Sequence, residues 1–141
     1  MNTEKNIFTF PAGLPGLPVE LNQYNLIALA EESPFFFLNS LQENDIGFVL
    51  VNPFMFFPDY EFELPAEESD ILGFKKTTKE MAVFCIVNAS QGLKNATINL
   101  LAPLMLNTAT GAARQVILND KRYSIRQSLP QPVEKAAGEV K

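Results

Sequence analysis

Short runs in which apolar and polar residues alternate recur along the whole chain, whereas the spacing of an amphipathic helix is scarce. Alternation with a period of two is typical of strands that bury one face, and these runs are rich in β-branched or aromatic residues. They predict the strands Ile7–Phe10, Tyr24–Ala30, Phe35–Leu38, Gly47–Val51, Tyr60–Leu64, Met81–Asn88, Ala96–Leu100 and Gln115–Leu118. Short strands separated by frequent turn signals favour an antiparallel sandwich or a small barrel.

One segment, Ala66–Phe74, has the pattern of a helix instead. Pro65 precedes it, acidic residues fill its first turn and Gly73 stands near its end. Proline at the entry, acids near the positive end of the helix dipole and glycine at the exit favour a helix of one or two turns.

Two segments are predicted to lie outside the strands and the helix. In PAGLPGLP, Pro11–Pro18, each Gly can take a positive φ and each Pro fixes φ, so we expect an ordered double turn. After Leu129 the sequence PQPVEKAAGEVK has two prolines and few large apolar residues. It predicts a single domain over residues 1–129 and a flexible tail over 130–141.

The charge balance narrows the possible partners. Eleven Lys and Arg stand against sixteen Asp and Glu, a formal net charge of −5, and the basic residues are scattered. We therefore expect no direct binding to nucleic acid, which needs a basic patch, and favour a basic protein partner. The first residues lack an apolar signal segment, and no apolar run approaches about 18 residues, so a cytoplasmic protein without a membrane segment is expected.

The chain lacks the residues that most catalytic mechanisms require. There is no histidine, and the one cysteine, Cys85, lies in the apolar run MAVFCIV, where a buried structural thiol is expected. Histidine-assisted nucleophiles and zinc sites are thereby excluded, and no GxSxG or phosphate-binding loop occurs. The sequence predicts a protein that is not an enzyme and that binds no cofactor and no metal.

A row of carboxylates lies near the middle of the chain, in DYEFE (Asp59–Glu63) and just beyond it. On a strand, the carboxylates of Asp59, Glu61 and Glu63 would point to one face, about 6–7 Å apart. This spacing does not suit a calcium site. No Lys or Arg interrupts residues 59–70, so a strongly negative local potential is expected. The row is either a solvated strand face or an acidic docking surface. Its candidate binding residues are Asp59, Glu61, Glu63, Glu67 and Glu68.

The stretch NPFMFFPDYEF concentrates aromatic residues between two prolines. The pattern predicts a strand, a bulged corner and a second strand, since proline interrupts a ladder. Alternation would set Met55 and Phe57 opposite Phe54 and Phe56. Either all of them belong to the core, or a partner covers one face. The apolar candidates for partner contact are Asn52, Phe54, Phe56, Phe57 and Tyr60.

A second apolar candidate lies in TINLLAPLMLN, Thr97–Asn107. Pro103 is expected to stop one strand, and Leu104–Leu106 to resume pairing. The intervening kink is either a corner of the core or part of a groove for a helix, with Leu101 and Pro103 as its contact residues.

Five blocks of this sequence, in order and at matching spacing, resemble the FliW family of flagellar assembly factors. The blocks are FPAGLPGLP (Phe10–Pro18), PFFFLNS (Pro34–Ser40), VLVNPFMFFPDYEFELP (Val49–Pro65), ATINLLAPLMLNTATGAARQVIL (Ala96–Leu118) and YSIRQSL (Tyr123–Leu129). The resemblance covers nearly the whole predicted domain. It implies an all-β fold, a small antiparallel β-barrel or roll of about eight to ten short strands with one short helix.

The resemblance also implies a function. Proteins of this family bind CsrA, an RNA-binding translational repressor, and flagellin. Unexported flagellin occupies the factor, and after export the free factor captures CsrA and releases flagellin mRNA for translation. Two other classes of protein stay open: a barrel that binds a small lipid or aromatic ligand, and a hydrolase that uses the carboxylates.

Overall fold

The computed structural model of the chain describes residues 6–14, 16–29, 33–43, 45–72, 81–90 and 92–130. Nine strands and one short helix lie in this part of the chain. They are β1 (Ile7–Thr9), β2 (Gln23–Ala28), β3 (Phe35–Ser40), β4 (Gly47–Val51), α1 (Ala66–Leu72), β5 (Met81–Asn88), β6 (Thr97–Ile98), β7 (Leu104–Asn107), β8 (Ala113–Gln115) and β9 (Gln127–Ser128).

The strands form an antiparallel sheet that almost closes into a barrel. β1 to β5 pair in chain order, and β5 then divides its partners: its first half pairs with β7 and its last two residues with β6. β7 pairs with β8, and a parallel bridge between Thr9 and Ala112 brings β8 back to β1. β6 and β9 form a short branch outside this ring. The predicted small antiparallel barrel with one short helix is confirmed.

Two apolar cores occupy the two faces of the sheet. One fills the barrel and includes Phe10, Tyr24 and Leu50. The other lies on the opposite face of β4 and β5, where Val51 and Cys85 are covered by residues from the middle and the end of the chain. The second core matters for function because the candidate surface is built on top of it. We call it the outer core.

Most predicted elements lie where the sequence indicated. β1 to β5 overlap their predicted strands, and β7 resumes pairing directly after Pro103 as expected. The helix begins at Ala66 as predicted and runs through Leu72, and the rest of its predicted span lies outside the described residues. Gly13 and Gly16 take φ of 71° and 86°, which confirms positive φ in the predicted double turn. The predicted tail lies, apart from Pro130, outside the described residues.

Two strand predictions need correction, and one strand was missed. Tyr60–Leu64 forms no strand, because its backbone pairs with no neighbouring strand among the described residues. The backbone groups of Glu61 bond the Tyr123 hydroxyl, and the Tyr60 N–H bonds the Phe57 carbonyl. β8 covers residues 113–115 and not 115–118; beyond it, Val116 and Leu118 donate single hydrogen bonds to the carbonyls of Pro103 and Leu101, at 2.9 and 2.8 Å. β9 was not predicted, since two residues carry too little pattern to be recognised.

Candidate protein-binding surface

The segment Asn52–Pro65, here called the corner segment, leaves β4 through a capped turn. The Asn52 side-chain oxygen accepts a hydrogen bond from the Phe54 N–H at 2.9 Å, and Pro53 stands at the first position of a 3-10 turn, Pro53–Met55. The Pro53 carbonyl then accepts the N–H groups of Phe56 and Phe57 at 3.1 and 2.8 Å. An amide cap followed by proline is a strong local start signal, so the chain turns here instead of bulging along a strand.

This turn exposes a different pair of residues from the pair that strand alternation predicted. Phe54 and Met55 are 40% and 64% exposed, whereas Phe56 and Phe57 are half-buried against the outer core. A 3-10 turn places adjacent residues on neighbouring faces, so 54 and 55 share the solvent side and 56 and 57 the protein side. The predicted opposition of Met55 and Phe57 to Phe54 and Phe56 is therefore wrong.

Tyr60 supports the corner segment from below. Its side chain is buried, with 4% exposure, and its hydroxyl donates to the Leu100 carbonyl at 2.6 Å. Its ring centroid lies 5.6 Å from that of Phe54, 5.4 Å from Phe62 and 4.8 Å from Tyr123. Burial, followed by the nearby Cys85 thiol, raises the pKa of Tyr60 far above its usual range. Tyr60 thus presents no surface itself but fixes the rings that do.

Further along the corner segment, at Glu61, the hydroxyl of Tyr123 takes the place of a neighbouring strand. The Glu61 N–H donates to the Tyr123 hydroxyl oxygen at 3.0 Å, and that hydroxyl donates to the Glu61 carbonyl at 3.0 Å. Side-chain burial still alternates here, with Glu61 and Glu63 exposed and Phe62 and Leu64 half-buried. The carboxylates consequently point outward as on a strand, although no ladder holds them.

Distant arginines neutralise part of the acidic row. Arg122 forms an ion pair with Glu61 at 3.0 Å, and Arg114 forms one with Glu68. Asp59, Glu63 and Glu67 are exposed and have no ion pair within the described residues. Two of the five candidate acids, Glu61 and Glu68, are thus paired with a cation, and the other three have no ion pair in the described part of the chain. The strongly negative local potential stays a prediction.

Arg122 is held in place from both sides. Its guanidinium contacts the Asp120 carboxylate at 2.8 Å and lies 5.0 Å from the centroid of the Tyr123 ring. Hydrogen bonds from Arg122 lower the pKa of Asp120, and those to Asp120 and Glu61 raise the pKa of Arg122. The pair therefore keeps its charges over the whole physiological range of pH.

Between the corner segment and the chain after β8 lies a groove of about 560 Å³. We call it the acidic groove. Its lining includes Glu61, Glu63, Ile117, Asp120 and Arg122.

The second predicted surface, at the kink before β7, also borders a groove. The Asn99 side-chain oxygen accepts the N–H groups of Leu101 and Ala102, both at 3.1 Å, and shapes the kink. Leu101 is half-buried and lines a groove of about 330 Å³, whereas the other predicted contact residue, Pro103, is buried and does not line it. No charged residue lines this groove among the described residues, so we call it the uncharged groove. Its exposed rim is formed by Ile117 and Ile125.

The fold brings the two predicted surfaces side by side. The Tyr60 hydroxyl bonds to Leu100, directly before the kink, and Ile117, which is 66% exposed, lines both grooves. The sequence interpretation missed Ile117, Ile125, Arg114 and Arg122. Ile117 lies within a recognised block and Arg122 directly before one, but the hydrogen bond of Arg122 to Glu61 joins residues 61 positions apart, which sequence alone does not indicate.

Other chemistry finds little support in the described residues. They contain no cluster of three or more His, Cys, Asp or Glu side chains arranged to hold a metal ion. Cys85 is fully buried, and burial raises the pKa of its thiol to about 12. No helix in this part of the chain is long and apolar enough to cross a membrane.

Comparison with known proteins agrees with this architecture. The family model described as FliW protein matches residues 1–129. Flagellar assembly factor FliW of Desulfitobacterium hafniense is 40% identical over 129 residues, covering 90% of this chain and 82% of that protein. FliW of Bacillus subtilis is 32% identical over 126 residues, covering 89% and 87%. A crystal structure of the flagellar assembly factor FliW superposes with a TM-score of 0.82 at 33% identity, covering 92% of this chain and 90% of the other.

These matches define a class first: the chain is an assembly factor, and such factors are regulatory proteins and not enzymes. It belongs to the FliW family of flagellar assembly factors and has a role in assembly of the flagellum.

Proposed function

We propose that this protein is a cytoplasmic, non-catalytic regulator that binds two proteins, the translational repressor CsrA and flagellin. Flagellin awaiting export occupies the factor, and its export frees the factor to capture CsrA and relieve repression of flagellin mRNA. The observation that carries the proposal is the exposed apolar pair Phe54 and Met55, followed in the chain by the exposed carboxylates Asp59 and Glu63, which have no ion pair among the described residues.

CsrA is proposed to dock on the corner segment. An RNA-binding face is basic, so the unpaired carboxylates steer the encounter, while Phe54 and Met55 supply apolar contact. Phe56, Phe57 and Tyr60 act from beneath, since they are half-buried or buried. RNA is then excluded by repulsion from Asp59, Glu63 and Glu67 without its own groove being filled.

Flagellin is proposed to bind the uncharged groove. An apolar groove with an exposed isoleucine rim suits an amphipathic helix. Leu101 contacts such a helix directly, whereas the buried Pro103 takes part only by holding the kink in place. Because Ile117 borders both grooves, a helix seated in one reaches the rim of the other, which supports competition between the two partners.

Calorimetric titration tests the proposal. Purified CsrA is titrated into this protein, first alone and then saturated with flagellin, each at two salt concentrations. We expect CsrA binding that weakens with salt and that flagellin abolishes. Binding of CsrA that is unaffected by flagellin would contradict the proposed switch. A chain ending at Pro130 should bind as the full chain does, if residues 1–129 form the functional domain.

Charge reversal tests the electrostatic part with a matched control. The triple variant Glu61→Lys, Glu63→Lys and Glu67→Lys should slow association with CsrA by about tenfold or more at low salt. The control variant Glu20→Lys, Glu43→Lys and Asp45→Lys makes the same change in net charge at exposed positions elsewhere. Equal rates for the two triple variants would show that net charge alone, and not the corner segment, governs capture.

A further inference from the structure

One wall of the acidic groove has a free backbone edge. Val116 and Leu118 direct their N–H groups to Pro103 and Leu101. Successive residues of an extended chain direct their peptide groups to opposite sides, so the N–H and C=O of Ile117 point away from that pairing. Among the described residues neither group has a hydrogen-bond partner, and Ile117 lines the groove.

The opposite wall has the same character. The Tyr123 hydroxyl occupies the N–H and C=O of Glu61, but the backbone groups of Phe62, Glu63 and Leu64 have no partner in the described part of the chain. Unpaired edges of this kind are templates for an added strand. In the described part of the chain, both walls of the groove thus carry backbone groups without a hydrogen-bond partner.

The charge of the groove selects the occupant. Glu61, Glu63 and Asp120 contribute three carboxylates to its lining, against the single guanidinium of Arg122, which is already shared between Glu61 and Asp120. A strand added here presents alternate side chains to the carboxylates.

We propose that the acidic groove binds an extended segment of a partner protein, with Lys or Arg at alternate positions, that adds as a strand along Ile117. This inference rests on the proposed function and adds to it the conformation in which the basic partner binds, an extended strand. Backbone pairing supplies the affinity, and the carboxylates supply the preference for basic side chains.

The first test needs neither CsrA nor flagellin. A fluorescein-labelled hexapeptide of alternating Lys and Val is titrated with the full chain by fluorescence anisotropy, beside a Glu and Val peptide of equal length. We expect saturable binding of the Lys peptide, at least about tenfold tighter than that of the Glu peptide. Two further peptides are N-methylated at all Val residues or at all Lys residues, so that each lacks every second backbone donor. We expect at least one of these two peptides to bind about tenfold more weakly than the unmethylated Lys peptide. If both bind as tightly as the unmethylated peptide, strand addition is overturned.

Two substitutions at one position separate backbone from side chain. Ile117→Pro removes the backbone N–H together with the isoleucine side chain and should weaken the Lys peptide about tenfold. Ile117→Ala removes the side chain but retains the N–H and should change the affinity by less than about threefold. Equal losses in both variants would overturn the inference. If Ile117→Pro does not fold, the methylated peptides still decide.

The same variants distinguish this inference from the proposed function. CsrA bound with undiminished affinity by folded Ile117→Pro overturns strand addition and leaves the proposed function standing. If the chain binds the Lys peptide but does not bind CsrA, strand addition in the acidic groove is supported and the proposed function is contradicted.

Discussion

The ladder of β2, β3 and β4 and the corner segment are held in shape by different means. In the ladder, continuous backbone pairing fixes the register, for example Tyr24 opposite Ser40 and Phe37 opposite Val49. In the corner segment, single side-chain groups of Asn52, Tyr60 and Tyr123 take the role of a strand neighbour. Single substitutions can therefore displace the candidate binding surface while the barrel wall stays intact.

The largest expected effect is at Tyr60, which joins the two regions. Tyr60→Ala removes a buried ring from the outer core and leaves the Leu100 carbonyl without its donor. We expect the free energy of unfolding to fall by about 3–5 kcal/mol, as measured by urea denaturation. A loss below about 1 kcal/mol would mean that the corner segment is not anchored through this ring.

A smaller and more local effect is expected at Tyr123. Tyr123→Phe keeps the ring but removes the hydroxyl that bonds both backbone groups of Glu61. We expect a loss of about 1–2 kcal/mol, with faster amide hydrogen exchange at Glu61 and unchanged exchange in β3. Tyr24→Phe is the matched control, since its hydroxyl bonds only the Leu21 carbonyl, and it should leave Glu61 unaffected.

Alkaline pH should act where the ladder meets the corner segment. Burial raises the pKa of Cys85 in β5 from its ordinary value of 9.0 to about 12. The folded protein therefore favours the neutral thiol. The stability that the neutral thiol contributes is complete below pH 9.0 and is lost as pH rises toward 12. Just above pH 9.0, the free energy of unfolding should fall by up to about 1.4 kcal/mol per pH unit. Cys85→Ala should reduce this slope between about pH 9 and 10 in denaturant titrations. An unchanged slope would contradict burial of the thiol.

The smallest expected effect is at Arg122, whose ion pairs are exposed. Arg122→Ala should leave the free energy of unfolding almost unchanged, because solvent screens such pairs. It should nevertheless raise the pKa of Asp120, since hydrogen bonds from Arg122 hold that pKa below its usual value. An NMR titration of the carboxyl carbon measures the shift, and an unmoved pKa would rule out the pairing.

The contrast between the two regions also explains what the sequence could predict. β3 and β4 each carry a short apolar run with turn residues at its ends, and Pro103 marks locally where β7 can begin. Tyr60–Leu64, within the corner segment, was predicted as a strand because its own residues alternate. The partner of the Glu61 backbone is instead the Tyr123 hydroxyl, 62 positions away. Likewise the uninterrupted acids gave no sign of Arg122, which only the folded chain brings to Glu61.

Residue-resolved amide hydrogen exchange, recorded on the chain alone and saturated with CsrA, tests the central claim most directly. The proposed binding surface predicts slower exchange at Phe54 and Met55, along residues 61–64 and at Ile117, with β2 unchanged. Protection confined to the exposed side of β2, around Ile27 and Leu29, or protection nowhere, would contradict it.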